Sequence, residues 1–572
     1  SGPDGPGARF RQRVIRSIMT KPRRVLITAA LPYANNHPHL GHVAGVYLPA
    51  DTYNRYLRLK GVETVFICGS DDHGVPVTIS AQNENSTPEE VVSRYRGIQE
   101  KVFGSLGISF DHYSGTSTCE GHAELSQEFF SKILERGDIE EKVTQQFFCD
   151  PCQRFLPDRY VEGTCPHCGA EGARGDQCDA CGKSYEQEEL KDPECAVCKG
   201  TPQIVPTRHW FFRLDRYEER LEEWLKSCEG WRDNVRNFAR GIVREGLPAR
   251  SITRDLEWGV PVPLEEAKDK VLYVWFDAPI GYISFTREHF VNQGNPDGWK
   301  DWWVDPDVEL VHFLGKDNII FHAVIWPAML MGQGEYHLPT SIPANEYLNF
   351  KGEKFSKSRG VGVTAEEILE RFDADRVRYY LTAVAPEGKD TSFTWEDFIQ
   401  RNNDELSDVV GNFAHRMLTF TAKNFDSRVP VNAADSNLRE EILSVIREAR
   451  EKWDDSLGRQ KFRDALDRVL TLARHGNRLF DQAEPWKSRK EDLDRCGADL
   501  AALLEVVHAI GVLLSPFLPS TSEKMLSAFS LCAPEPAEAL KTLGECEVLT
   551  AGGELSPPGI VYPRLELEED QA

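Results

Sequence analysis

The stretch Val25-Leu26-Ile27-Thr28-Ala29-Ala30-Leu31-Pro32-Tyr33-Ala34-Asn35-Asn36-His37-Pro38-His39-Leu40-Gly41-His42 sets the architecture of the chain. It opens on a short, nearly all-apolar run stopped by a proline, the pattern of a strand buried on both faces in a parallel sheet. A polar loop comes next, and then Leu40, Val43, Val46, Tyr47 and Ala50 recur at helical spacing. Thr64–Cys68 is a second apolar run, ending at Gly69-Ser70-Asp71-Asp72-His73-Gly74. Strand, helix, strand in this order begins a doubly wound α/β sheet, in which ligands gather at the carboxyl ends of the strands.

Further along the chain, helical periodicity fills roughly Pro88–Lys132, and α/β character returns at Val271–Asp277 and Glu309–Gly315. After Ser358 the chain reads as mainly helical to about Phe529, most strongly over 401–424, 437–453, 459–480 and 498–514. Glu547–Arg564 is rich in Pro and Gly and is expected to fold back on the body. A chain of 572 residues exceeds one core, so several folding units are expected. Asp plus Glu outnumber Lys plus Arg by 91 to 67, for a net charge of -24. That excludes nucleic-acid binding by overall field and leaves only local basic strips for it. No apolar run approaches the ~18 residues of a membrane span, and Val506–Leu518, broken by His508 and ended by Ser515-Pro516, reads as a buried helix. Residues 1–21 are expected to form a flexible, partly basic extension without the apolar core of a signal peptide, an organelle presequence being the alternative.

Three constellations carry chemistry. His39 and His42 lie three apart at a helix start, where unpaired backbone N–H groups and the helix dipole favour an anion and imidazoles can stabilise a phosphate in transfer. Gly41 between them lets a flat purine approach the backbone. Alone, H-x-G-H also arises by chance and in small nucleotidyltransferases. Lys354-Phe355-Ser356-Lys357-Ser358 sets two lysines three apart on a loop able to close over phosphates; alone it reads as a solvated loop, and it gains its weight from following His39–His42. Eight of the 14 cysteines form four C-x-x-C pairs, Cys149/Cys152, Cys165/Cys168, Cys178/Cys181 and Cys195/Cys198. Eight thiolates make two closed four-sulfur sites of the structural-zinc kind, with iron–sulfur ligation and redox pairs as alternatives; reduced pairs suit a cytosolic protein.

Ala30–Asn35, His39–His42 and Lys354–Ser358, in this order, resemble the class I aminoacyl-tRNA synthetases and specifically the methionyl-tRNA synthetase family, over about Val25 to Glu566. Phe355 stands where the family's second signature has Met, a packing position, so activity is still expected. The resemblance implies a Rossmann-like catalytic domain in two halves (22–117 and 251–330), split by a zinc-binding connective insert (118–250, knuckles at 149–198). A stem-contact region (331–396), an all-α anticodon-binding bundle (397–540) and a returning tail (541–572) are then expected. It implies catalysis by His39, His42, Lys354, Lys357 and Arg254, and ATP binding by His39, Gly41, His42, Gly315, Asp317 and Lys357. Methionine is expected against Ala30, Leu31, Tyr33, Asp71, Trp275, Ala278, Pro279, Tyr282 and His322. From the residues alone, Asp71 is placed to meet an ammonium, while Trp275 and Tyr282 read first as core packing.

Anticodon contacts are expected from Asn412, Arg416 and Trp486. The zinc pairing we expect is nested: Cys165/Cys168/Cys178/Cys181 hold one ion and Cys149/Cys152/Cys195/Cys198 the other. Mg2+ is expected with ATP, and the expected partners are L-methionine, ATP and tRNA(Met), with no membrane, a monomeric state and a cytoplasmic location.

Overall fold

The computed structural model describes residues 23–157, 160–175, 178, 180–181, 185, 187–353, 362–431, 438–557, 559 and 561–566. The first part of the chain supplies β1 (Arg24–Ala29), β2 (Glu63–Ser70) and β3 (His112–Gly115) to the central sheet. A long antiparallel hairpin, β4 (Ile139–Cys149) and β5 (Gln203–Phe212), then leads out into the cysteine insert and back. Two further strands, β6 (Glu309–Gly315) and β7 (Ala344–Asn345), complete the sheet in the order β7-β6-β1-β2-β3, every neighbouring pair parallel. Strands β1 and β6 are central and almost wholly buried, as an apolar run without alternation requires. The chain order reverses between them, which opens a crevice beyond their carboxyl ends.

Two sequence expectations are corrected. The helical span expected over Pro88–Lys132 is broken by β3, whose four residues pair with Ile67–Ser70; the helices are Pro88–Ser105 and His122–Glu135. The run Val271–Asp277 is no sheet strand. Only Val271–Leu272 is extended, against Thr253–Arg254, and Val274–Asp277 is a helical turn. A short apolar run cannot by itself separate a strand from a buried helix.

The bundle comprises α1 (Asn412–Asn424), α2 (Arg439–Gly458), α3 (Phe462–Ala483), α4 (Pro485–Glu491) and α5 (Leu493–Leu514). By length and composition α5 passes for a membrane span, but it is enclosed by α1, α2, α3 and the helix Pro519–Ser527. A fully buried ion pair, Arg378–Asp51 at 2.8 Å, joins the segment ahead of the bundle to the helix Leu48–Leu59 behind β1. Arg378 also donates to the carbonyls of Leu106, Pro516 and Phe517. After Glu547 the chain runs back along the bundle, where Glu505 accepts from the N–H groups of Val548 and Leu549.

Candidate active site

The crevice is walled by the segments that leave the carboxyl ends of β1, β2 and β6. His39 is the N-cap of the helix that opens at Leu40, with extended backbone. The N–H of His42 donates to His39 Nδ1 and the N–H of His39 to His42 Nδ1, both at 3.3 Å. Both Nδ1 atoms therefore accept, which puts the ring proton on Nε2 in each neutral imidazole. The rings stack with centroids 3.6 Å apart. Burial and then the neighbouring His42 lower the pKa of His39 to about 2, and burial lowers that of His42 to about 4. His42 is solvent-exposed, so burial acts on it less than on half-buried His39, and the direction for both is toward neutral donors. At Gly41 a Cβ would lie 2.9 Å from the His39 ring and 3.3 Å from the Leu348 carbonyl, so a side chain there would displace the His39 ring.

Pi-helical turns form at Val43–Tyr47 and at Phe321–Ile325, the latter carrying His322; such turns widen a helix and are common at functional sites. Lys354 and Lys357 lie outside the described residues. On the carboxyl side of that stretch, Thr364 bridges to His39, and the N–H of Ala365 donates to the Pro38 carbonyl at 3.0 Å.

At the end of β2 the backbone of Asp71 is fixed by exchange with Pro32 and Ala34, at 2.8 and 2.9 Å. Its side chain is buried and Oδ1 has no hydrogen-bond partner. Burial, then Asp277, then Asp72 push its carboxyl well above the usual carboxylate range. A site short of a cation is the result. Beside it, Trp275 Nε1 donates to the Tyr33 hydroxyl at 2.8 Å, and the Trp275 ring meets Phe321 edge-on at 4.0 Å. Tyr282 donates to His322 Nε2 at 2.9 Å, because His322 Nδ1 faces the Asn318 carbonyl at 3.1 Å and so carries the proton. Burial lowers the His322 pKa to about 4, so this wall is uncharged. Ala278 and Pro279 continue the turn that bears Trp275. Arg254 lies over the Tyr273 ring at 3.7 Å and donates to the Thr253 carbonyl. Gly315 ends β6 with open space where a Cβ would stand, and Asp317 accepts from Tyr347.

Sequence reading missed a buried group behind this pocket. His73, His122 and Asp277 converge, His73 Nδ1 lying 2.7 Å from Asp277 Oδ2 and His122 Nε2 3.4 Å from it. Only the string Asp71-Asp72-His73 hinted at it, since the three come from separate segments.

The insert holds two four-sulfur clusters with the expected pairing, Cys149/Cys152/Cys195/Cys198 and Cys165/Cys168/Cys178/Cys181. Nearest sulfurs are 3.3 and 3.9 Å apart in the first and 3.7 and 3.9 Å in the second. A tetrahedral cage with metal–sulfur bonds of ~2.3 Å has edges of about 3.8 Å, far beyond the ~2.05 Å of a disulfide, so the donors fit structural zinc. The lobe also touches the helix that comes after Asp71 and Gly74, where Tyr160 donates to Thr78 at 2.9 Å.

In the bundle, Asn412 is exposed at the start of α1, while Arg416 pairs with Asp481 at 2.7 Å and lies 4.6 Å over Phe480. Trp486 is 42% exposed and meets the same Phe480 edge-on, turned out by the left-handed Glu484 (φ 44°) between α3 and α4.

Comparisons agree with this geometry. A family model for class I tRNA synthetases (M) matches residues 25–418, and one for the anticodon binding domain of methionyl tRNA ligase matches 429–572. The chain is 46% identical over 554 residues to the methionine–tRNA ligase of Pyrococcus furiosus, covering 95% of this chain and 75% of that one. Against the methionine–tRNA ligase of Bacteroides fragilis it is 45% identical over 547 residues, covering 95% and 79%. The Mycobacterium tuberculosis methionyl-tRNA synthetase in complex with methionyl-adenylate superposes with a TM-score of 0.76 at 28% identity, over 95% of this chain and 100% of that one.

Proposed function

The chain belongs to the methionyl-tRNA synthetase family, a methionine–tRNA ligase by reaction, and from that premise we propose how its own residues divide the work. The observation that carries the reading is Asp71, a buried carboxylate without a partner on Oδ1 beside an aromatic recess. An amino acid's ammonium supplies the missing charge. The thioether then lies among Ala30, Leu31, Trp275, Ala278, Pro279 and Tyr282, where sulfur–aromatic contacts are worth about 0.3–1.5 kcal/mol each. Neutral His322, fixed by Asn318 and Tyr282, closes that end without adding charge, and Tyr33 holds Trp275 in place.

The substrate carboxylate is already ionised at neutral pH and needs no general base. One of its oxygens attacks the α-phosphorus of ATP in line; the new C–O–P bond forms as the bond to pyrophosphate breaks. The Nε2–H donors of His39 and His42 stabilise charge on the α-phosphate, and the two imidazoles carry no charge until the nucleotide brings its own. Gly41, Gly315 and Asp317 seat the nucleoside. Lys354 and Lys357 take the β- and γ-phosphates with Arg254, supported by the anchoring of Thr364 beside His39. Mg2+ bound to ATP screens phosphate charge. The 2′-hydroxyl of the tRNA's terminal adenosine then attacks the methionyl carbonyl, its proton passes to a phosphate oxygen of the adenylate, and AMP leaves with the electrons of the broken C–O bond.

Asn412 and Arg416 read base edges of the anticodon of tRNA(Met), and Trp486 stacks on an unpaired base. The two cysteine clusters hold zinc, which supplies folding energy to a lobe with little core of its own. We place the catalytic halves at 22–117 and 251–330, the insert at 118–250, the stem-contact region at 331–396 and the anticodon bundle at 397–540. ATP–pyrophosphate exchange across the twenty amino acids tests the reading: methionine alone should give strong exchange, and background exchange with methionine overturns it.

A further inference from the structure

Asp277 takes no part in the steps above, yet it is fully buried within the cleft wall. It ends the turn Val274–Asp277 that carries Trp275. Its Oδ2 accepts from His73 Nδ1 at 2.7 Å and lies 3.4 Å from His122 Nε2, while Oδ1 has no hydrogen-bond partner. His122 is held from its other side, Nδ1 to Ser284 Oγ at 2.9 Å. His73 stands two residues after Asp71, and Asp277 two residues after Trp275. The His73–Asp277 hydrogen bond therefore spans the two segments that take opposite ends of one amino acid, the ammonium at Asp71 and the thioether at Trp275.

We propose that Asp277 is a positioning residue for methionine: through His73 it fixes the spacing between Asp71 and Trp275, and as a second carboxylate behind Asp71 it raises that site's demand for a cation. The charged and titratable groups around the pair are Asp71, Asp72, His73, His122 and the Tyr282 hydroxyl. Burial opposes ionisation of Asp277, but His73 and His122 outweigh it and hold its carboxyl below the usual range. Burial opposes protonation of His73, and Asp277 overcomes it, so its pKa rises. Asp277 thus stays anionic and pushes Asp71 upward. A metal is not what this trio is shaped for: 2.7 Å between imidazole nitrogen and carboxylate oxygen is the distance of a shared proton, and His122 is already bonded to Ser284.

The inference rests on Asp71 as the ammonium site, and the test separates the two. In the full zinc-loaded chain, Asp277→Asn keeps shape and size. Pyrophosphate exchange should show the KM for methionine raised about tenfold or more, the loss of one charged hydrogen bond, with kcat and the KM for ATP within about twofold. The acid limb of kcat/KM for methionine should move to lower pH, because a negative neighbour of Asp71 has gone. His73→Gln, which cuts the same link from the other side, should reproduce the selective rise in KM. Equal rises in both KM values, a fall in kcat alone, or an unmoved acid limb would make Asp277 merely structural. More than two metal ions per chain by plasma emission, lost in Asp277→Asn, would also overturn the proposal. If Asp71→Asn leaves the KM for methionine unchanged, both readings fall; if it raises the KM while Asp277→Asn does not, only this one falls.

Discussion

Asp51 and Asp71 lie in the same α/β layer and are both buried, at 0% and 4% exposure, yet the chain treats them in opposite ways. Asp51 accepts from the Ser109 N–H and hydroxyl, from Arg55 at 2.8 Å, and pairs with Arg378 at 2.8 Å. Burial opposes its charge, but Arg378 and then Arg55 outweigh it, and its pKa falls below the usual range. Asp71 has Oδ1 unpartnered, faces Asp277 and Asp72, and its pKa is driven up, burial first. A charge whose partners are supplied by the fold holds elements together; one left short of a partner is where the proposed function seats the substrate ammonium.

The two carboxyls therefore link stability to pH with opposite signs. A depressed carboxyl such as Asp51 contributes stability above its unfolded-state pKa, and that contribution is lost as the pH falls through the acid range toward its folded value. A raised one such as Asp71 costs stability increasingly as the pH climbs above the unfolded-state value, so neutralising it should not harm the fold.

The largest effect is expected from Asp71→Asn. Exchange kinetics should show kcat/KM for methionine down by about a thousandfold, the upper range for stranding a desolvated charge, while the melting temperature at neutral pH holds or rises. A lower melting temperature would place Asp71 with the structural charges. Next comes Arg378→Leu, which leaves Asp51 to Arg55 and Ser109 and takes the guanidinium from the buried carbonyls of Leu106, Pro516 and Phe517. Denaturant unfolding should lose about 3–5 kcal/mol, with kcat/KM of the folded protein changed by no more than a few-fold. A smaller contrast of the same kind lies in the bundle. Trp453 is fully buried and donates to the Leu513 carbonyl, whereas Trp486 is 42% exposed. Trp486→Ala should lower methionyl transfer to tRNA by roughly ten- to a hundredfold, as the loss of one stacked base requires, and leave adenylate formation intact. Equal loss of both would remove Trp486 from the RNA contact.

Much of this was legible in the sequence where spacing is short. The β1 run, the His39–His42 helix start and the cysteine pairs are local patterns, and each appears where its spacing put it. Elements set by tertiary partners were not legible. β3 has four residues, too few for periodicity, and exists because β2 offers it an edge. Val271–Asp277 has a strand's composition, but β6 and β1 occupy the centre of the sheet and most of the run coils into the cleft wall. Asp277, His73 and His122 are distant in sequence and meet only in the fold. Phe480, the shared support of Arg416 and Trp486, carried no signal beyond helical periodicity.

That Asp71 waits for a cation can be measured through proton linkage. Isothermal titration of methionine into the protein, in buffers of different ionisation enthalpy, counts protons exchanged on binding. Because the ammonium stabilises the ionised carboxylate, methionine binding should release protons wherever the free carboxyl is protonated, and that release should disappear in Asp71→Asn along with most of the affinity. Methionine binding of equal strength in both proteins, without proton release in either, would contradict it.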